Sequence, residues 1–180
     1  PRLAGIGITG DLDGDATIVA TKAQSVDVFV WKVTNGVVNP TPQKYAFPVA
    51  TPSYYWNVVP MPVGMTGYMG FFSTSATNGL IWMNSTMGEV SRSSGVRTSG
   101  GDVITINGRV YVAYTAYSGD QKGVMRICDI TDGKYNQIFN YTMEASGANG
   151  NSTASACLMV KNNELYAVFG CTGSGLYFYR

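Results

Sequence analysis

The feature that most constrains the fold is a turn that closes an apolar strand and recurs along the chain. Each copy ends in glycine, at Gly36, Gly88 and Gly133, so successive copies are 52 and 45 residues apart. The clearest unit is Gly101–Gly133, in which Asn107-Gly108 has the residues of a two-residue hairpin turn between two strands. A period of about 40–50 residues with several short strands indicates repeated antiparallel sheets.

Four units follow from this spacing, over residues 5–48, 50–94, 95–143 and 144–180. They predict one all-β domain over residues 1–180, a β-propeller-like array of about four antiparallel blades, or part of a larger propeller. A β-sandwich is the alternative, because it also has many short strands separated by turns. The fourth unit lacks an outer strand, and we expect either that Arg2–Ile8 supplies it or that the array continues in a longer chain.

Composition excludes several classes of function. The 12 basic and 11 acidic residues give a net charge of +1 and do not cluster, so the chain lacks the positive surface that binds nucleic acid. The apolar runs fall short of the roughly 20 residues that a membrane helix needs, so no membrane span is expected. The start at Pro1, with neither a Met nor a signal segment, is expected of a mature form or of a piece of a longer chain.

Residue types also limit the chemistry. The sequence contains no histidine, which excludes Ser-His-Asp and Cys-His catalysis and His-ligated metals. Most of the 11 acids lie in predicted turns, where solvated carboxylates are typical. The three cysteines, Cys128, Cys157 and Cys171, lie in strand-like segments without metal-site spacing, and we expect buried free thiols.

One loop has the residues of a cation site. Asp11, Asp13 and Asp15 alternate along a segment that Gly14 can bend, and alternating carboxylates in such a loop suit calcium. A turn that binds no metal is the alternative, because Asp side chains also hydrogen-bond their own backbone. Calcium is the one cofactor that the sequence suggests.

The same segment carries a resemblance. GDLDGDATIVATKAQSVDVFVWKV, residues 10–33, resembles an integrin-type or FG-GAP propeller blade, whose loop holds calcium between adjacent strands. More loosely, the whole chain resembles uncharacterised secreted or surface-lipoprotein propellers of gut bacteria. This second resemblance implies an extracytoplasmic location, whether secreted, periplasmic or on the cell surface, and a glycan or protein ligand.

Aromatic residues in or beside predicted loops are the candidates for ligand binding: Tyr54, Tyr55, Trp56 and Tyr117. Exposed aromatic rings stack on sugars and anchor protein interfaces. The alternative for the triplet at 54–56 is packing, if it begins an inner strand. Trp31 and Trp82 occupy corresponding positions in their units, and we expect them to pack between blades.

The sequence therefore favours a non-catalytic, extracytoplasmic binding module for a glycan or a protein. The repeats, the missing histidine and the loop aromatics support this hypothesis. A carboxylate-dependent carbohydrate-active enzyme is one alternative, and it would need two acids facing each other across a cleft. A structural or adhesion repeat of a larger surface protein is the other.

Overall fold

A computed structural model describes residues 2–50, 56–74, 78–94, 98, 100–117, 123–142, 155–171 and 175–180. These residues form β-strands in four antiparallel sheets, and none of them forms a helix long and apolar enough to cross a membrane. Sheets 1 and 2 comprise β1 Leu3–Gly10, β2 Ala16–Lys22, β3 Asp27–Thr34, β4 Val37–Val38 and β5 Gln43–Ala46, then β6 Asn57–Pro60, β7 Tyr68–Ser73, β8 Asn78–Met83 and β9 Glu89–Ser94. Sheets 3 and 4 comprise β10 Gly101–Ile106, β11 Arg109–Tyr117, β12 Gly123–Asp129 and β13 Asn136–Thr142, then β14 Ser155–Lys161, β15 Glu164–Cys171 and β16 Gly175–Tyr179.

Each sheet is built from strands that follow one another in sequence. In sheet 1, β1 pairs with β2 and β2 with β3, while β4 and β5 both pair with β3. Sheets 2 and 3 have four strands and sheet 4 has three. This is a four-blade β-propeller arrangement, so the predicted fold class is confirmed and the β-sandwich alternative is wrong.

Of the two alternatives for the outer strand of the fourth unit, the one that uses Arg2–Ile8 is wrong. Leu3–Gly10 instead forms the first strand of sheet 1, where Ile8 pairs with Ile18 and Gly10 with Ala16. The short acidic loop after Gly10 decides this pairing, because a tight connection favours the adjacent antiparallel strand over a distant sheet edge.

Three apolar clusters fill the spaces between neighbouring sheets. The largest side chains are Trp56 and Phe72 between sheets 1 and 2, Met69 and Phe71 between sheets 2 and 3, and Ile127 and Phe169 between sheets 3 and 4. Each of these side chains is fully buried. The sheets therefore pack face to face in chain order.

Glycine allows sheet 1 to approach sheet 2 closely. A Cβ atom on Gly7 would lie 2.7 Å from the Cα atom of Val59, and one on Gly5 would also meet sheet 2. Since side chains alternate along a strand, Ile6 and Ile8, which alternate with these glycines, face away from sheet 2.

The turns after the first strand of each sheet lie at one end of the array, which we call the turn end, at residues 11–15, 61–67, 107–108 and 162–163. The predicted hairpin turn at Asn107-Gly108 is confirmed, because both residues have the positive φ that a type I′ turn requires, 52° and 73°. Strand direction alternates, so the turns after each third strand also lie at the turn end. Each second strand therefore ends at the opposite end of the array.

Candidate functional site

A cleft of about 400 Å³ opens at the turn end between sheets 1 and 2. Both sheets contribute to its lining: Thr9, Gly10, Asp15, Ala16, Thr17, Lys32, Val33, Thr34, Pro60, Met61, Pro62, Val63, Met65, Thr66, Gly67, Tyr68 and Ser85. Its volume is within the range of sites that hold small ligands or a few side chains of a partner.

The cleft combines charged, polar and apolar walls. The Lys32 ammonium donates to the hydroxyl of Thr17 at 2.8 Å, and the Asp15 carboxylate accepts a backbone N–H of the turn after β3 at 3.0 Å. On the facing wall, Met61 is 2% exposed and Val63 is 77% exposed. Such a site can bind a partly apolar ligand and orient it through a few hydrogen bonds.

A second cleft, of about 390 Å³, opens at the turn end between sheets 3 and 4. Its lining is Ile106, Asn107, Arg109, Tyr111, Ile138, Asn163 and Leu165. Both clefts lie where hairpin turns of neighbouring sheets diverge. The turn end is therefore the candidate binding face. Of all the residues that line the two clefts, the sequence analysis proposed one as a site residue, Asp15.

The acidic loop lies at the turn end beside the first cleft. One carboxylate oxygen of Asp11 accepts the N–H of Asp13 at 3.0 Å, which is the metal-free turn considered as the alternative. Asp15 accepts the N–H of Asn35 at 3.0 Å, and the N–H of Gly36 donates to a carbonyl of the loop at 2.8 Å. These bonds tie the loop to the turn between β3 and β4.

The structure does not test whether Asp11, Asp13 and Asp15 bind calcium, and the sequence left the metal-free turn as the alternative. Among the described residues, no three His, Cys, Asp or Glu side chains lie close enough together to hold a metal ion. The hydrogen bonds of the loop favour the metal-free turn, so about 5 mM calcium is expected to leave the Tm of EDTA-dialysed protein unchanged. A rise in Tm that Asp13→Asn abolishes would establish the ion site instead.

Trp56 lies near the opposite end of the array, in the core. Its side chain is 0% exposed, and its ring centroid is 4.8 Å from that of Phe47. The indole N–H donates to the carbonyl of Lys22 at 3.0 Å. This placement favours the packing alternative for Trp56, because a ligand has no access to the ring.

The other aromatic candidates stay predictions. Tyr54 and Tyr55 lie outside the described residues. Tyr117 is the last residue of β11, paired with Gly123, so its backbone belongs to the strand and not to the loop, and its side chain is outside the described part of the structure. The end of β11 is the end opposite to both clefts.

The recurring turns that end in Gly88 and Gly133 lie at the turn end, and each has a side-chain hydrogen-bond pattern that the sequence analysis did not include. In sheet 2, the Asn84 side-chain oxygen accepts the N–H and hydroxyl of Thr86 and the N–H of Gly88, each at 2.9 Å. In sheet 3, an Asp129 oxygen accepts the N–H and hydroxyl of Thr131 at 2.9 and 2.6 Å. Both turns have Asn or Asp at the first position, Thr two residues later and Gly four residues later. This pattern could have predicted the side-chain hydrogen bonds from the sequence.

Asp129→Asn is expected to lower the free energy of unfolding by about 1–3 kcal/mol at neutral pH. Asp129 is 4% exposed, and its second oxygen pairs with the Arg109 guanidinium. Burial opposes ionisation, but the bonds from Thr131 and the Arg109 charge outweigh it, so the pKa of Asp129 lies below its usual value. Because the pKa of Asp129 is lower in the folded chain than in the unfolded chain, its charge stabilises the fold at any pH above the unfolded value of about 4. This stabilisation is lost as the pH falls through the pKa of the folded chain.

Denaturant titrations from about pH 7 down to about pH 2 measure this difference. The free energies of unfolding of the wild type and Asp129→Asn should converge as the pH falls. Asp13→Asn, in the exposed loop, is the control and should track the wild type throughout. A difference that stays constant with pH would contradict the charge effect.

One partly buried carboxylate joins sheets 3 and 4. Asp102 on β10 accepts the N–H of Val103 and, through its other oxygen, the N–H of Leu158 on β14, both at 2.9 Å. Burial raises the pKa of Asp102, although these two bonds oppose the rise. Because Asp102 bonds one sheet to the next, we assign its raised pKa to a structural role and not to a functional site.

The cysteines differ in environment. Cys128 is a buried free thiol, as predicted. Cys157 is free but exposed, so the expectation of burial is wrong there, because it alternates with the core residues of β14. The Cys171 side chain lies outside the described part of the structure.

Comparison with known proteins supports the fold. No protein-family model matches the sequence, and no curated protein is significantly similar to it. The crystal structure of a DUF4623 family protein from Bacteroides eggerthii matches with a TM-score of 0.68 and 16% identity, over 97% of this chain and 44% of that chain. This chain thus spans less than half the length of that protein. The likeness shows a shared fold, whereas the FG-GAP and lipoprotein resemblances stay predictions.

Proposed function

We propose that this chain is a non-catalytic binding module that holds a segment of a protein ligand in the cleft between sheets 1 and 2. The observation that carries this proposal is the cleft itself, which has a volume of about 400 Å³ and lies between two sheets at the turn end. Turns on a rigid scaffold can change sequence without loss of the core, and binding residues concentrate in such places.

The lining favours a protein ligand over a glycan. Val63, which is exposed, and Met65, which is partly buried, form an apolar wall, and methionine adapts its shape to varied side chains. Sugars prefer an exposed aromatic face, but Tyr68, the aromatic residue among the described lining, is 4% exposed. Lys32 can donate to a carbonyl or carboxylate of a peptide.

The cleft does not favour the carbohydrate-active enzyme. Glycoside hydrolysis uses two carboxyl groups, and Asp15 is the one acidic side chain among the described residues that line this cleft. Asp15 also accepts the N–H of Asn35, so the turn uses part of its hydrogen-bonding capacity. A binding role needs no second carboxylate.

The extracytoplasmic location belongs to the same proposal. It is supported by the resemblance of the sequence to exported bacterial propellers. Fractionation of the native host, with an antibody raised against the purified chain, would test it. Recovery of the protein from the cytoplasm would contradict it.

Selection of peptides from a random displayed library on the folded protein tests the proposed function. The peptides are expected to lose at least about tenfold in affinity, or 1.4 kcal/mol, for Thr66→Trp and for Lys32→Glu. Thr66 and Lys32 line the cleft and are exposed, so both variants should fold. Thr41→Trp, exposed and outside the cleft lining, is the matched control and should bind as the wild type does.

The same variants are applied to a glycan array. Glycan binding that Thr66→Trp leaves intact would show that the ligand lies elsewhere, at the predicted aromatic residues for example. A folded protein that selects neither peptides nor glycans would favour the structural or adhesion role.

A further inference from the structure

Two sheet faces of the array carry exposed apolar side chains. On sheet 1, Ile6 and Ile8 face away from sheet 2 and are 61% and 52% exposed. On sheet 4, Leu176 and Phe178 are 66% and 78% exposed, while the tyrosines that alternate with them pack against the cluster shared with sheet 3. Apolar faces of this kind mark interaction surfaces.

The strand register extends each face across its sheet. We call the face of sheet 1 the first outer face, formed by Ile6, Ile8, Ile18, Phe29 and Trp31. We call the face of sheet 4 the last outer face, formed by Met159, Val168, Leu176 and Phe178. Trp31, expected from the sequence to pack between blades, is only partly buried on the first outer face.

The outer faces continue the packing seen inside the array. Each internal cluster joins two sheet faces of the same construction, for example Val28 and Val30 of β3 against Phe72 and Ile81 of sheet 2. The first and last outer faces have the same spacing of alternate apolar residues. A further sheet of the same kind therefore fits each of them.

We propose that the last outer face of one chain packs on the first outer face of a second copy, and reciprocally, to form a closed eight-sheet ring. Two equivalent contacts cover all four outer faces, and a two-fold axis relates the copies. A single contact would leave a free face at each end and would add copies without limit.

The length of the Bacteroides protein supports this geometry. The region matched by this chain is 44% of that protein, so that chain has room for a second array of similar size. The interface is independent of the proposed function, because it uses the sides of sheets 1 and 4 and not the turn end.

Sedimentation velocity of the purified chain tests the proposal. The wild type at micromolar concentration is expected to have twice the chain mass of 19.3 kDa. Ile8→Lys and Phe178→Lys should each be monomeric, because each places a charge on an outer face. Both side chains are exposed in the single chain, so both variants should fold. Val90→Lys, at a position 57% exposed on β9 of sheet 2, is the matched control and should stay dimeric.

Mixing the two monomeric variants identifies which faces meet. Phe178→Lys keeps the first outer face intact and Ile8→Lys keeps the last, so the mixed pair has one undamaged contact and should partly recover the dimer. A folded wild type that is monomeric, lysine variants that stay dimeric, assemblies larger than a dimer, or no recovery in the mixture would each overturn the proposal. Loss of ligand binding in the cleft variants would not affect it.

Discussion

Trp56→Ala is expected to lower the free energy of unfolding by about 3–5 kcal/mol. The side chain is 0% exposed between sheets 1 and 2, and its ring packs against Phe47 at 4.8 Å between centroids. Its removal would leave a cavity that the surrounding strands cannot close, and the Lys22 carbonyl would lose its donor. Equilibrium unfolding in guanidinium chloride measures the change.

Two variants separate the contributions of ring and hydrogen bond. Trp56→Phe keeps most of the apolar volume and loses the N–H, so a smaller cost of about 1–2 kcal/mol is expected. Leu12→Ala, at a position 55% exposed, is the surface control and should change stability by less than about 0.5 kcal/mol. If Trp56→Ala kept full stability and lost ligand binding, the ligand role would be right and the packing role wrong.

Gly101→Ala is expected to cost about 1–3 kcal/mol or more through overpacking. A Cβ atom at this position would overlap the carbonyl oxygen of Ala113 and would lie 2.8 Å from the Cζ atom of Phe71. The oxygen belongs to the paired strand β11, and Phe71 is 0% exposed between sheets 2 and 3, so neither group can move aside without disturbing the sheet packing. Thermal and denaturant unfolding both report this loss.

Gly170→Ala is the matched control. It also lies in a strand, but a Cβ atom there would meet its nearest neighbour, the Cδ2 atom of Leu176, at an ordinary 3.6 Å. Replacing glycine by alanine lowers the backbone entropy of the unfolded chain equally at both positions, and at Gly170 this should stabilise the fold by up to about 0.5–1 kcal/mol. Equal losses at Gly101 and Gly170 would show that crowding is not the cause.

The parts of the fold that could be predicted are those decided by neighbours in sequence. Asn107-Gly108 predicted a hairpin because these two residues tolerate the positive φ of its turn, whatever the rest of the chain does. The alternating apolar residues of β10 and β11 then determine which side chains face a core. The sequence left the pairing of the first strand open between two alternatives, because its apolar pattern suits the edge of sheet 4 as well as that of sheet 1, and the alternative at sheet 4 is wrong.

The site was less predictable, because its parts come together only after the sheets pack. The indole N–H of Trp56 donates to a carbonyl 34 residues earlier in the chain, and no local pattern encodes that contact. Lys32 and Met65 line the same cleft from two different sheets, so the sequence does not show that they lie close together. Asp15 was identified as an acidic side chain, but its bond to Asn35 depends on two turns meeting.

Pairing between consecutive strands has a consequence for how the chain folds as it is made. Sheet 1 is complete at Ala46, before the first strand of sheet 2 begins at Asn57, and the later sheets follow in the same order. Each sheet can therefore form on its own from nearby residues, which favours fast folding. Until the next sheet emerges, one apolar face stays open on the growing chain, and that interval is when aggregation competes most strongly with assembly.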